Sequence, residues 1–525
     1  MRRLFLLCVV TLLALGCAWG EVRLHGIFSS DMVLQRDKPI RVWGWAAPGE
    51  AVSVTLSGDT AKTITNGNGA WQVQLPARAT GENLEMTVTG TNTITLKNLI
   101  MGDIWVCSGQ SNMELSVGSC NSPDDVKSAD FPTIRRFKVS HTPSGYAEAD
   151  FPKWASQGPW QVCTPQTVSA FTAAGFFFAR DIVQQTGVPI GLLDDNWGGT
   201  NIECWIAPET ISAVPEMAFL QKNYDALWVN YYAQLPAKLD TAEAWIKAAR
   251  TALANNQAVP PLVEMPRNPV WTMGEGAKWY ALYNGMIAPI LNLPIKGVLW
   301  YQGENNGSED DIYFHKMRAL IGGWRTLWKQ GDFPFYFVQL ANYTPVNPIP
   351  NTGDGYAKIR CAQMKAMTIP NTGMASAIDI GEANDIHPKN KQDLGHRLAL
   401  WALRNDYGKK DIVPSGPIFK EAKVEGNTIR VSFDYVGSGL MVGKKDGRNP
   451  TVEDKEGKLY YFSIAGEDKN WVLADAVIDG ATVIVSSNEV PVPVAVRYAF
   501  SRNPAGANLY NKEGLPASPF RTDTW

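Results

Sequence analysis

Gly102-Asp-Ile-Trp-Val-Cys-Ser-Gly-Gln-Ser-Asn-Met113 reads as a short buried strand that breaks into a polar turn. Ile104 to Cys107 is apolar and β-prone, Gly109 lets the backbone bend, and Gln110, Ser111 and Asn112 place three polar side chains where the strand would end. In open α/β sheets ligands bind beyond the carboxyl ends of the strands, so a serine held there faces a crevice and not the core. Most Ser/Asn turns are merely solvated. The stretch acquires chemical meaning from what the rest of the chain sets beside it.

Upstream, Val22 to Lys97 alternates as short strands do: Val52, Val54 and Leu56 share one face, Ser53 and Thr55 the other, and clusters such as Asn66-Gly-Asn-Gly69 mark turns. This predicts an N-terminal β-sandwich over residues 21–97, either a sugar-binding module or a spacer. Downstream, from 98 to about 410, apolar runs alternate with helical stretches, the pattern of an α/β parallel sheet flanked by helices. Candidate strands are Ile104–Ser108, Ile190–Leu193, Lys296–Tyr301, Phe335–Gln339 and Met374–Ile378, and candidate helices include Ala173–Thr186 and Lys391–Arg404. A helical insertion over about 208–279 carries two helical patterns, Glu216–Gln234 and Thr241–Asn255, and reads as a cap whose Tyr224, Trp228, Tyr231, Tyr232 and Trp245 either line a substrate cleft or, the preferred reading, pack the cap itself. Residues 411–525 return to β-rich alternation.

A chain of 525 residues is too long for one core. Its formal net charge of -3 and the lack of any Lys/Arg run give no reason to expect nucleic acid or an anionic membrane as partner. Residues 1–20 read as a signal peptide: Arg2 and Arg3 precede an apolar run from Leu4 to Leu15, with small residues at Ala18 and Gly20. That run is too short for a transmembrane anchor, so an exported protein, periplasmic or extracellular, is expected. Cleavage after Gly20 is preferred over lipid anchoring through Cys17. Outside the leader, Cys107, Cys120, Cys163, Cys204 and Cys361 have no metal-ligand spacing.

A serine nucleophile needs a base, for which histidine is the usual choice. Of the five histidines, His25 belongs to the β-module, His141 to a Ser/Pro/Gly loop, and His315 and His396 to helical patterns. His387 follows a candidate strand in the loop Asp379-Ile-Gly-Glu-Ala-Asn-Asp-Ile-His-Pro388, with Asp385 two residues before it as a carboxylate partner. Two more strand ends contribute. Gly198 and Gly199 in Asn196-Trp-Gly-Gly-Thr200 let a backbone N–H approach an oxyanion, and Gln302 offers a side-chain amide. Four polar loops therefore leave four strands on one expected edge of the sheet.

In this order the motifs resemble the SGNH (GDSL-type) hydrolases, and specifically the sialate O-acetylesterase group. The matching stretches are Gly109-Gln-Ser-Asn-Met113, Trp197-Gly-Gly-Thr200 with Glu203 and Trp205, Leu282-Tyr-Asn-Gly-Met-Ile287, Gly297-Val-Leu-Trp-Tyr-Gln-Gly-Glu304, Asp385-Ile-His-Pro388, and Arg497-Tyr-Ala-Phe500 to Asn508-Leu-Tyr-Asn511. The resemblance implies a three-layer SGNH fold and an esterase that removes acetyl groups from carbohydrate hydroxyls. No metal or organic cofactor is implied. Ser111 matches the nucleophile, His387 the base, Gln302 an oxyanion donor, and either Gly198 or Gly199 the glycine donor. The wider superfamily places its aspartate three residues before the histidine, where this chain has Asn384. Asp385 is therefore the expected triad acid, with Asp379 and Glu382 as substitutes. No Gly-x-Ser-x-Gly occurs, which argues against an α/β-hydrolase elbow. The resemblance implies sialate 9-O-acetyl esters as substrate. Its alternatives are acetylated xylan or another polysaccharide, and a carbohydrate-binding protein with a decayed site. In the sialate case Arg497 and Arg502 are candidate partners for the sugar carboxylate.

Overall fold

The computed structural model of the chain describes residues 21–155, 157–266, 268–269, 279–347 and 355–525. The expected leader, with Cys17, lies outside them.

The fold is α/β, and its centre is a large mixed sheet. The strand order along its main path is Gln161–Cys163, Phe131–Lys138, Ile190–Asn196, Thr93–Gly109, Gly297–Tyr301, Phe335–Gln339, Thr372–Ser376. All neighbours on that path are parallel except the Gln161–Cys163 edge. The inner strands are buried at every position, which is why they read as unbroken apolar runs and not as alternation. From the Thr93–Gly109 strand the chain first builds to one side, then crosses to build to the other. The carboxyl end of that strand is thus a topological switch point. Asn196, Gly109 and Tyr301 stand level in the register, so three strands release their loops at one height.

Helix Ala173–Thr186 packs beneath the switch point. Thr172 caps it by accepting the Gly175 N–H, and Gly187 closes it in the left-handed conformation at φ 70°. A Cβ on Gly175 would overlap Cys107 Sγ, so the glycine allows the helix to lie close against the sheet. Helix Lys391–Asn405 packs beside it, with Gly395 against the Phe177 backbone. Helix Asp311–Trp328 covers Trp300 and Phe335 with Trp324.

The structure departs from the sequence reading in three places. The Thr93–Gly109 strand is 17 residues long and runs from the N-terminal sheets straight into the central sheet, so the boundary expected at 97 falls inside it. One apolar core accordingly runs from Val22 to Leu403, and a second, from Ile429 to Phe520, belongs to the β-rich C-terminal region. In the insertion a single helix, Ala218–Ala254, runs through both of the stretches where two helical patterns were expected. Pro236 lies inside it; the helix-forming residues on both sides carry the backbone past the one missing donor. Lastly, Phe131–Lys138 and Gln161–Cys163 add two strands that the periodicity did not announce.

Candidate active site

Gly109 turns the Thr93–Gly109 strand at φ 134°, and a Cβ there would overlap the Tyr301 carbonyl. The turn is pinned on both sides: Gln110 N–H donates to Tyr301 O at 3.0 Å, and Trp197 N–H donates to Gly109 O at 3.1 Å. Ser111 then opens the short helix Ser111–Glu114. Its Oγ lies 2.9 Å from His387 Nε2, across 276 residues of chain. The loop carrying His387 leaves the Thr372–Ser376 strand and returns across two strand ends to reach the serine.

Asp385 Oδ1 accepts the His387 backbone N–H at 2.8 Å and stands 3.5 Å from its Nδ1, while Oδ2 pairs with Lys389 Nζ at 3.0 Å. The backbone bond, followed by Lys389 and the imidazole, holds this carboxylate below its ordinary range. Burial lowers the His387 pKa; Asp385 opposes the shift, and the charges of Lys391 and Lys389 add to it. Asp379 is engaged elsewhere, by Arg397 at 2.6 Å and by the Tyr510 hydroxyl. Glu382 accepts the Lys389 N–H. Of the three carboxylates considered, Asp385 is the one beside the ring.

The two glycines separate. Gly198 lies against Ser111, but its N–H already donates to Glu114 Oε2 at 2.7 Å. Gly199 adopts φ 67° beside open space, and its N–H has no acceptor among the described residues. Gln302 requires a correction. Expected as an oxyanion donor, it is fully buried, and its Nε2 faces Gln110 Oε1 at 3.0 Å, Thr200 O at 3.2 Å and Asn306 Oδ1 at 2.7 Å. Its Oε1 accepts from the Tyr313 hydroxyl at 2.8 Å. The amide is a latch between three loops, with neither hydrogen left for a substrate.

Other residues come to the site unannounced. Glu114, three residues past Ser111 on its helix, pairs with His141 Nε2 at 2.9 Å, and the His141 ring stacks on Trp197 with centroids 4.3 Å apart. Burial works against ionisation of Glu114, yet the His141 bond, the Lys138 charge and the Gly198 N–H together hold its pKa low. The i, i+3 spacing from Ser111 was the available signal for Glu114; His141 had none. Asn112 bonds Glu304, Lys391 and the Ile386 carbonyl. The remaining histidines pair away from Ser111: His25 with Asp150, His315 with Glu216, His396 with Asp181. Arg497 is buried in an ion pair with Asp523 at 2.6 Å, and Arg502 packs over Tyr356.

A serine hydroxyl bonded to an imidazole at the switch point of a parallel sheet, with a carboxylate beside the ring and the unengaged Gly199 N–H nearby, is an arrangement able to carry out acyl transfer. The sequence profile of the family described as carbohydrate esterase, sialic acid-specific acetylesterase matches residues 101–231 and 269–404. The chain belongs to this family, and it is an esterase. Sialate O-acetylesterase from Rattus norvegicus is 28% identical over 98% of this chain and 97% of its own length. The Homo sapiens protein of the same name is 26% identical over 95% of this chain and 92% of its own. A solved carbohydrate acetylesterase from Xanthomonas citri superposes with a TM-score of 0.77 at 34% identity, covering 96% of this chain and all of that one.

Proposed function

We propose that the protein removes acetyl groups from sugar hydroxyls, with sialate O-acetyl esters as the favoured substrate, through an acetyl-enzyme on Ser111. The observation that carries the mechanism is the 2.9 Å contact between Ser111 Oγ and His387 Nε2. His387 accepts the hydroxyl proton as Oγ attacks the acetyl carbonyl, and Asp385 stabilises the resulting imidazolium. The oxyanion is received by the N–H groups of Ser111 and Gly199, each such donor typically worth about 3 kcal/mol. On collapse the C–O bond to the sugar breaks, and His387 returns the proton to the departing sugar oxygen. Water, deprotonated by the same imidazole, then attacks the acetyl carbon; the bond from that carbon to Ser111 Oγ breaks, the imidazolium returns its proton to Oγ, and acetate is released.

The parallel sheet with helices against both faces supports a three-layer SGNH-type arrangement, and the leader pattern in residues 1–20 supports export to the periplasm or beyond.

Ser111→Ala is expected to abolish acetate release from p-nitrophenyl acetate and acetylated sugars while near-UV circular dichroism stays that of the parent. Wild-type turnover in that variant would remove the nucleophile assignment. Rates on 9-O-acetylated sialic acid and on acetylated xylan, compared side by side, decide the sugar.

A further inference from the structure

Asn112 follows Ser111 in the chain, and Ile386 precedes His387. The two are bonded to each other: Asn112 Nδ2 donates to the Ile386 carbonyl at 2.9 Å. The same nitrogen donates to Glu304 Oε1 at 2.5 Å, and Oδ1 accepts from Lys391 Nζ at 2.7 Å. Asn112 is 1% exposed and Lys391 0%, so their bond is sealed from water, while the Glu304 and Ile386 partners are half-buried. Lys391 begins helix Lys391–Asn405, and its ammonium lies over the Tyr301 ring.

A carboxamide can be turned over at no cost to its shape, but here the two orientations are not equivalent. An ammonium only donates and a carbonyl only accepts. With Oδ1 toward Lys391 and Nδ2 toward Ile386, all three bonds form. Turned over, Oδ1 would face the carbonyl and Nδ2 the ammonium, leaving buried groups unsatisfied. We propose that Asn112, oriented by Lys391, is a positioning residue that ties the nucleophile turn to the base loop and so sets the Ser111–His387 separation. This rests on Ser111 and His387 being nucleophile and base.

Two effects can be read apart. The first is geometric: Asn112→Asp keeps the shape but presents an acceptor to the Ile386 carbonyl and to Glu304, pushing the loops apart. A displacement of about 1 Å costs about 10²-fold in rate, so kcat falls by about that factor with KM little changed. The second is electrostatic. His387 faces Ser111, Asp385, Lys389 and Lys391; Lys391 in turn faces Asn112, Glu304, Glu382, Cys120 and Lys389. Removing the Lys391 charge lets the imidazole protonate more readily, so its titration moves to higher pH.

The test is to titrate His387 in full-length wild type and in Lys391→Met by NMR of ¹³C-labelled histidine, and to measure kcat and KM of Asn112→Asp on p-nitrophenyl acetate. An upward shift of the His387 midpoint together with a kcat-selective loss is the expected result. Lys391→Gln, which keeps a donor for Asn112 without the charge, gives the same upward shift and serves if the methionine variant does not fold. An unmoved midpoint, or an Asn112→Asp enzyme with wild-type kcat, overturns the inference. The titration needs no turnover, so its failure is separate from a failure of the Ser111→Ala test.

Discussion

Asp385→Asn tests how strongly the carboxylate couples to the histidine. The substitution keeps an oxygen for the His387 backbone N–H and removes the charge that stands 3.5 Å from Nδ1. At that separation a unit charge stabilises an imidazolium by about 1 kcal/mol in a water-like dielectric and by about 5 kcal/mol at an effective dielectric of about 20. The Asp385 side chain is 37% exposed and shares its charge with Lys389, so screening holds the interaction toward the lower figure. About 1–2 kcal/mol corresponds to a fall of about 5- to 30-fold in kcat/KM. A buried, fully bonded triad aspartate, by contrast, is worth about 10⁴ in kcat. The direction of the pH change follows from the sign of the interaction. Asp385 raises the His387 pKa against the lowering by burial, so its loss lowers that pKa further and leaves the base neutral at more acid pH. The acidic limb of the kcat/KM profile therefore moves to lower pH. Initial rates of acetate release across the profile measure both quantities. A loss near 10⁴ would show that exposure does not screen the pair, and an unchanged profile would show that Asp385 is not the partner of His387.

Gln302→Ala separates a latch from an oxyanion donor. Leaving the facing acceptors of Gln110, Thr200 and Asn306 without their donor costs about 1–3 kcal/mol of stability, seen as a lower thermal midpoint, whereas loss of a pure oxyanion donor would lower kcat with the midpoint unchanged. Asp195 is fully buried with neither carboxyl oxygen bonded among the described residues, and burial pushes its pKa up to about 8. A carboxyl whose folded pKa is raised stabilises the fold below the ordinary carboxylate pKa and loses that contribution as pH rises toward and through about 8. Asp195→Asn is expected to flatten that slope, so that thermal midpoints of the variant and the parent diverge with rising pH, the variant being the more stable on the alkaline side. Parallel curves would show that Asp195 does not titrate in this window.

Legibility in the sequence followed the burial of each element. Phe335–Gln339 and Ala173–Thr186 were readable to the residue because both are dominated by apolar packing with clear terminal signals. Phe131–Lys138 was not, because Arg135 and Arg136 interrupt its apolar pattern. Their charges are satisfied internally, Arg136 by Asp194 at 2.6 Å and Arg135 by the Asn98 carbonyl, and such pairings are invisible along the chain. The same limit explains the site. Ser111 and His387 stood out because each lies in a polar loop just past a strand. Gln302 occupies an equivalent position, but Gly303 at φ 150° takes the backbone sharply away, and the side chain is left pointing inward. Lys391 entered the sequence reading only as the first residue of a candidate helix; the fold is what brings Asn112 and Glu304 to it.

The position of the site at a switch point explains why so many buried amides surround it. Strands on either side of Thr93–Gly109 are built by different stretches of chain, so the loops that meet at their carboxyl ends come from distant parts of the sequence. Beyond the two backbone bonds at Gly109 and Gln110, the loops ending in Thr200, Asn306 and Ile386 are held to the Gln110-Ser111-Asn112 turn by side chains. Gln302 joins Gln110 to the first two, and Asn112 reaches the third. Each amide meets acceptors through its nitrogen and a single donor through its oxygen, so each has one orientation that satisfies every partner. A buried network of this kind resists rotation because turning either amide over leaves polar groups unpaired. That rigidity is what a 2.9 Å contact between residues 276 positions apart requires.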